Sequence, residues 1–207
     1  MVYDIQAIFT SMVLRHTNES KLINQLWQEI EAAYHDDTRY YHTLEHLQFV
    51  YNELLPVKQN IRDWDSVLFA LFYHDIIYIP TRPDNEKKSA DLAKERLESI
   101  HLPLIQIEKC MKMIMATKDH AISDEDDINF FTDADLSILG SSRSVYAEYC
   151  HNVRKEYAVL PDSIYKAGRK TFLQKLLKMP AIFKTDNFYR KYEKTARETI
   201  GYELDKL

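Results

Sequence analysis

Apolar residues return every three to four positions along most of this chain, which is the period of a helix with one buried face. Behind Ser20, read as an N-cap, Leu22, Ile23, Leu26, Trp27 and Ile30 share a face and predict a helix over residues 20–34. Residues 44–55 follow the same rule through Leu47, Val50, Tyr51 and Leu54, with Pro56 as the stop. Residues 64–73 are almost wholly apolar from Val67 onward, the pattern of a helix buried on most sides. Pro80 and Pro83 make 76–84 a loop, after which 85–100 and 105–117 resume helical spacing. A polar loop covers 122–129, and a further apolar element begins at 135–139. Three amphipathic helices, 144–157, 163–178 and 187–205, complete the chain. With no repeat or linker in view, the expectation is a compact all-α helical bundle forming a single domain over 1–207.

Composition agrees with that pattern. Only three glycines and six prolines occur in 207 residues, while helix formers are plentiful, and this disfavours a turn-rich β fold. The net charge of −5 is mild, so a general nucleic-acid or membrane-surface binder is not expected, whereas a small ligand is. Cys110 and Cys150 lie far apart and outside any CxxC pair, which points to reduced thiols. No basic leader opens the chain, and no apolar run approaches the roughly 18 to 20 residues that span a bilayer. A cytoplasmic protein is the expectation. Phosphate cradles rich in glycine and the GxSxG elbow are absent, and the acidic run Asp124–Asp127 lacks the glycine and glutamate of an EF-hand loop.

The candidate chemistry sits in three segments. YYHTLEH carries His42 and His46, four apart and therefore on one face if both are helical. FYHDIIY carries His74 and Asp75 at the end of the apolar helix, where a carboxylate among isoleucines needs a partner. TDADLS carries Asp133 and Asp135, which diverge by about 200° on a helix and so cannot both face one point. Two imidazoles and two carboxylates suit a divalent ion of the zinc, iron and manganese class and leave positions open for water or substrate. Such an ion activates water at neutral pH.

This order of His, His-Asp and Asp resembles the HD superfamily of metal-dependent phosphohydrolases, with flanking sequence similar to its small bacterial branch, over about residues 39–140. The resemblance implies a compact HD-domain helical bundle and a hydrolase for a phosphoester or phosphoanhydride of a small, nucleotide-like molecule. By similarity to the cyclic-nucleotide phosphodiesterases of that superfamily, His46, His74, Asp75 and Asp135 would bind one divalent metal ion, either manganese, magnesium, iron, cobalt or zinc. His42 would then be the general acid that protonates the leaving oxygen. Asp133 is left either to orient a ligand or water from behind, or to cap a helix starting near Asp135.

Glu86, in the NExxSA pattern of the resembled branch, would orient water, although it also suits an ordinary helix N-terminus. His120 would bind substrate or, in two-metal members, a second ion. Lys118, Arg154 and Arg169 are candidate phosphate binders that suit surface or ion-pair roles equally well. Two other functions stay open: an HD-fold nucleotide-binding or regulatory protein without turnover, and a dinuclear-iron oxygenase. A filled set of ligand positions favours the hydrolase. Substrate identity and oligomeric state are not written in these motifs.

Overall fold

The computed structural model describes residues 4–207, and among them only helices and their connections occur, with no strand. In chain order the helices are α1 (Ile5–Val13), α2 (Ser20–Tyr34), α3 (Leu44–Leu54), α4 (Trp64–Tyr73), α5 (Asn85–Ser99), α6 (Leu104–Ala116), α7 (Asp126–Leu136), α8 (Arg143–Glu156), α9 (Asp162–Lys178) and α10 (Asp186–Leu204). The all-α expectation is met, and one hydrophobic cluster runs from Ile5 to Ile200.

Helix α4 is the axis of the packing. Every residue from Ser66 to Tyr73 is buried, because α3, α5, α6 and α7 all pack around it. An all-apolar sequence permits that position, since no face has to meet water. Asp63 caps its start by accepting the Ser66 N–H at 3.1 Å. Helices α8 and α9 lie to one side and meet the rest mainly through α10, the 3-10 turn Ser137–Gly140 and the loop before α3. Gly140 packs against α10 so closely that a Cβ there would stand 2.6 Å from the Tyr192 Cβ.

The α-helix of residues 44–54 does end before Pro56, and the chain runs on as a 3-10 helix, Leu55–Asn60. Three sequence expectations are corrected. Ser20 is the first helical residue rather than the cap. Helix α7 begins at Asp126, inside the expected polar loop, where Asp127 accepts the backbone N–H groups of Arg62 and Asp63 at 2.8 and 2.9 Å. Asp135 therefore lies near the end of a helix instead of opening one. Helix α1 was missing from the sequence pattern altogether. No helix among the described residues is long and apolar enough to cross a membrane.

Candidate metal centre

Helices α3, α4 and α7 pack on one another, and the candidate histidine and aspartate donors lie where their ends meet. His46 is in the first turn of α3, His74 ends α4 with Asp75 next, and Asp135 is the penultimate residue of α7. Two of these ends are C-terminal, so unpaired carbonyls add partial negative charge and favour a cation.

His74 makes its tautomer readable. Its Nδ1 lies 2.9 Å from the Leu71 carbonyl, so Nδ1 carries the proton and Nε2 presents a lone pair. That Nε2 is 3.1 Å from the Nε2 of His46 and 3.1 Å from Asp75 Oδ2. His46 Nε2 is 4.0 Å from Asp75 Oδ2, and His46, His74 and Asp75 thus form a group able to hold a metal ion. Asp135 Oδ1 approaches the same two nitrogens, at 3.3 Å from His46 and 3.8 Å from His74. Donors about 2.0 to 2.3 Å from a shared ion would lie roughly 3 to 3.6 Å apart when adjacent, which matches the closest pairs. The His46 Nδ1 is buried without a partner, and its ring is set by packing on Tyr41 and His74, with centroids 5.0 and 5.3 Å away.

The electrostatics make the same demand. Burial lowers the pKa of His46, while at His74 burial is outweighed by Asp75 and Asp135, which raise it to about 9. Two imidazoles this close cannot both take a proton, so the cluster draws in one positive charge and shares it. Burial opposes ionisation of Asp75 and Asp135 too, but the neighbouring histidines hold both far below the usual carboxylate range. The donor set and its charge fit a divalent cation.

His42 does not share a helix with His46. It precedes Thr43, the residue before α3, yet the two rings still come within 5.6 Å. Glu156, the last residue of α8, holds it. One oxygen accepts the backbone N–H groups of Tyr40, Tyr41 and His42 at 2.9, 2.7 and 2.9 Å, and the other lies 2.7 Å from His42 Nδ1. The far nitrogen, Nε2, is left facing the cavity 3.8 Å from Asp75 Oδ2. Burial disfavours charge on His42, but the hydrogen bond and charge of Glu156, with Asp75 and Asp135, outweigh it and raise the pKa. Arg39 ties the same loop to the HD turn, donating to the carbonyls of Asp75 and Ile76 at 2.8 and 3.0 Å. Neither Glu156 nor Arg39 stood out in the sequence, because Glu156 is 114 positions from His42 and no local pattern marks it.

Asp75, Asp135 and His42 open into a cavity of ≈ 490 Å³ that also takes in Glu86, Lys118, His120 and Arg169. Glu86 is in the first turn of α5, half-buried, and makes no hydrogen bond or ion pair with a described residue. Its neighbours explain the NExxSA pattern: Asn85 bonds Ile79 on both backbone groups at 3.1 and 2.8 Å, and Ser89 does the same for Ile77 at 3.1 and 3.2 Å. These two clamp the loop after Asp75. His120, at a left-handed φ of 50°, reaches the outer oxygen of Asp135 at 3.0 Å. Lys118 donates to the Pro83 carbonyl at 2.7 Å and keeps other donors for a ligand.

Three expectations change. Arg154 lies away from the cavity walls, its guanidinium bonded to Asp162 and to the carbonyls of Tyr157 and Leu160 across the α8–α9 turn. Arg169 does line the cavity, but Glu203 takes it bidentately at 2.8 and 3.0 Å. Asp133 neither backs a ligand nor caps a helix near Asp135. It is fully buried and caps the entry to α10, accepting the N–H groups of Lys184 and Thr185 at 3.0 and 2.8 Å beside the Lys184 ammonium at 3.2 Å. No protein-family model, curated protein or solved structure matches this chain.

Proposed function

We propose that this chain is a metal-dependent phosphohydrolase of the HD type that cleaves a small phosphoester with water. The carrying observation is the pairing of a donor cluster with His42, whose Nε2 faces the same cavity while Glu156 fixes its Nδ1 at 2.7 Å. A divalent cation bound by His46, His74, Asp75 and Asp135 would polarise the phosphoryl group and acidify the attacking water. The remaining roles belong to the chain. Lys118, on the cavity wall, pairs with phosphoryl oxygens. Glu86, with its carboxylate unengaged, accepts the proton that the water loses as its oxygen bonds to phosphorus. The phosphorus–oxygen bond to the organic group breaks, and His42 delivers its Nε2 proton to the leaving oxygen. Water is thereby added across one ester bond, giving an alcohol and phosphate.

The test is metal analysis of the purified protein, then phosphate release from nucleotides and simple phosphoesters with manganese, magnesium, cobalt, iron and zinc. One ion per chain is expected; two would favour the dinuclear alternative. His42→Ala should keep that ion and lose about 10²- to 10⁴-fold in turnover, the usual effect of removing a general acid. Loss of the ion in this variant, or no turnover with any metal, would remove the reading.

A further inference from the structure

The cavity has two unlike ends. Every charged group with capacity left for a ligand is at the metal end, while the opposite wall, built by α8 and α9, is made of Val153, Leu160, Ile164, Phe172 and tyrosine rings. On that wall Arg169 is bound by Glu203 and donates to the Tyr149 hydroxyl at 3.0 Å, so what the wall offers a ligand in polar atoms is at most the hydroxyls of Tyr157 and Tyr165. No asparagine or glutamine lines the cavity. A nucleobase carries several donors and acceptors on its edge, and each one buried without a partner is costly, whereas a hydrocarbon gains from the same wall.

Gly168 adds an independent observation. It lies on α9 four residues from both Ile164 and Phe172, so the three share a face, and all three line the cavity. A glycine inside a helix costs about 1 kcal/mol relative to alanine. Neither its backbone nor its neighbours require it, since its φ is not positive and an added Cβ would meet nothing within 4 Å. Its effect is to leave room on the solvent-open side of the apolar wall, next to the exposed Ile164.

Resting on the hydrolase reading, we propose that the substrate is the phosphate monoester of an apolar, aromatic alcohol, with the ring against the Ile164–Gly168–Phe172 face and the phosphate toward Lys118 and His42. The nucleotide expected from the sequence resemblance is the poorer fit. Hydrolysis leaves free phosphate and a phenol-like product.

The experiment compares 1-naphthyl phosphate with thymidine and adenosine monophosphates on the metal-loaded protein, in wild type and in Gly168→Leu. The wild type should prefer the naphthyl ester by about tenfold or more in kcat/KM. Gly168→Leu, which should fold at least as stably because leucine is the better helix former, should raise KM for the naphthyl ester about tenfold. Equal or better use of the nucleotides overturns the proposal, as does a properly folded Gly168→Leu with unchanged KM. If no ester is hydrolysed, the hydrolase reading fails, and equilibrium binding of the same three compounds decides the cavity's preference. Tighter nucleotide binding then overturns the proposal, and tighter naphthyl phosphate binding weakened by Gly168→Leu supports it.

Discussion

Two buried polar clusters border the same cavity, and they differ in whether they are complete. Around Arg169 the chain satisfies itself. Glu203 meets the guanidinium with both oxygens, Tyr149 accepts from it at 3.0 Å, and Tyr146 and Cys150 donate to the same carboxylate. Around His74 the chain does the reverse, bringing two imidazoles and two carboxylates together with no lysine or arginine among them. Buried charge is tolerated only when paired. The first cluster is therefore architecture, and the second is a group of donors that could hold a cation.

The largest expected effects follow from that distinction. Arg169→Met leaves the Glu203 carboxylate buried without its counter-charge, and should lower unfolding free energy by about 3 to 5 kcal/mol. Adding a divalent ion at about 100 times its Kd should raise wild-type stability by about 2.7 kcal/mol, and by the same increment in Arg169→Met. Asp135→Asn should abolish the increment. Urea titrations with and without metal check all three. A metal increment that survives Asp135→Asn, or disappears in Arg169→Met, would break the comparison.

Glu156 joins the two regions, because it ends α8 yet holds the His42 loop. Burial opposes its charge, but His42 and the three backbone N–H groups outweigh that and lower its pKa to about 2. A carboxylate depressed in the fold contributes stability that is fully present above its unfolded pKa of about 4.3 and is lost as pH falls through the folded value. The wild type should accordingly lose up to about 3 kcal/mol more than Glu156→Gln between pH 4.5 and pH 2. Parallel pH profiles of the two proteins would show that Glu156 does not brace the loop.

The open cluster was more legible in the sequence than the closed one. Helix α4 could be read because its apolar run has no polar face, and His74 and Asp75 stand at the point where it ends. Helical geometry separated Asp133 from Asp135: one is sealed against Lys184 and Thr185, the other faces His46 and His120. What Asp133 caps could not be read, since α10 begins about fifty residues later. The four-residue spacing from His42 to His46 imitates a helical turn, yet α3 starts only after Thr43 and His42 lies outside it. The aromatic wall and the Glu156 clamp depend on which distant helices pack together. Spacing within one segment carries no information about that.

The smallest effect tests the correction at Arg154. Both this arginine and Arg169 belong to the α8–α9 side of the cavity, yet Arg169 is buried in the wall and Arg154 faces outward at the turn. Its pairing with Asp162 is exposed, and such pairs contribute only about 0 to 1 kcal/mol. Its bonds to the Tyr157 and Leu160 carbonyls, at 2.8 and 3.2 Å, add a local clamp on the turn. Arg154→Ala should cost about 1 kcal/mol in stability and leave metal content and KM for a small phosphoester within about twofold of wild type. A tenfold rise in KM at unchanged stability would return Arg154 to the phosphate-binding role, and would mean that the α8–α9 turn moves over the cavity when substrate binds.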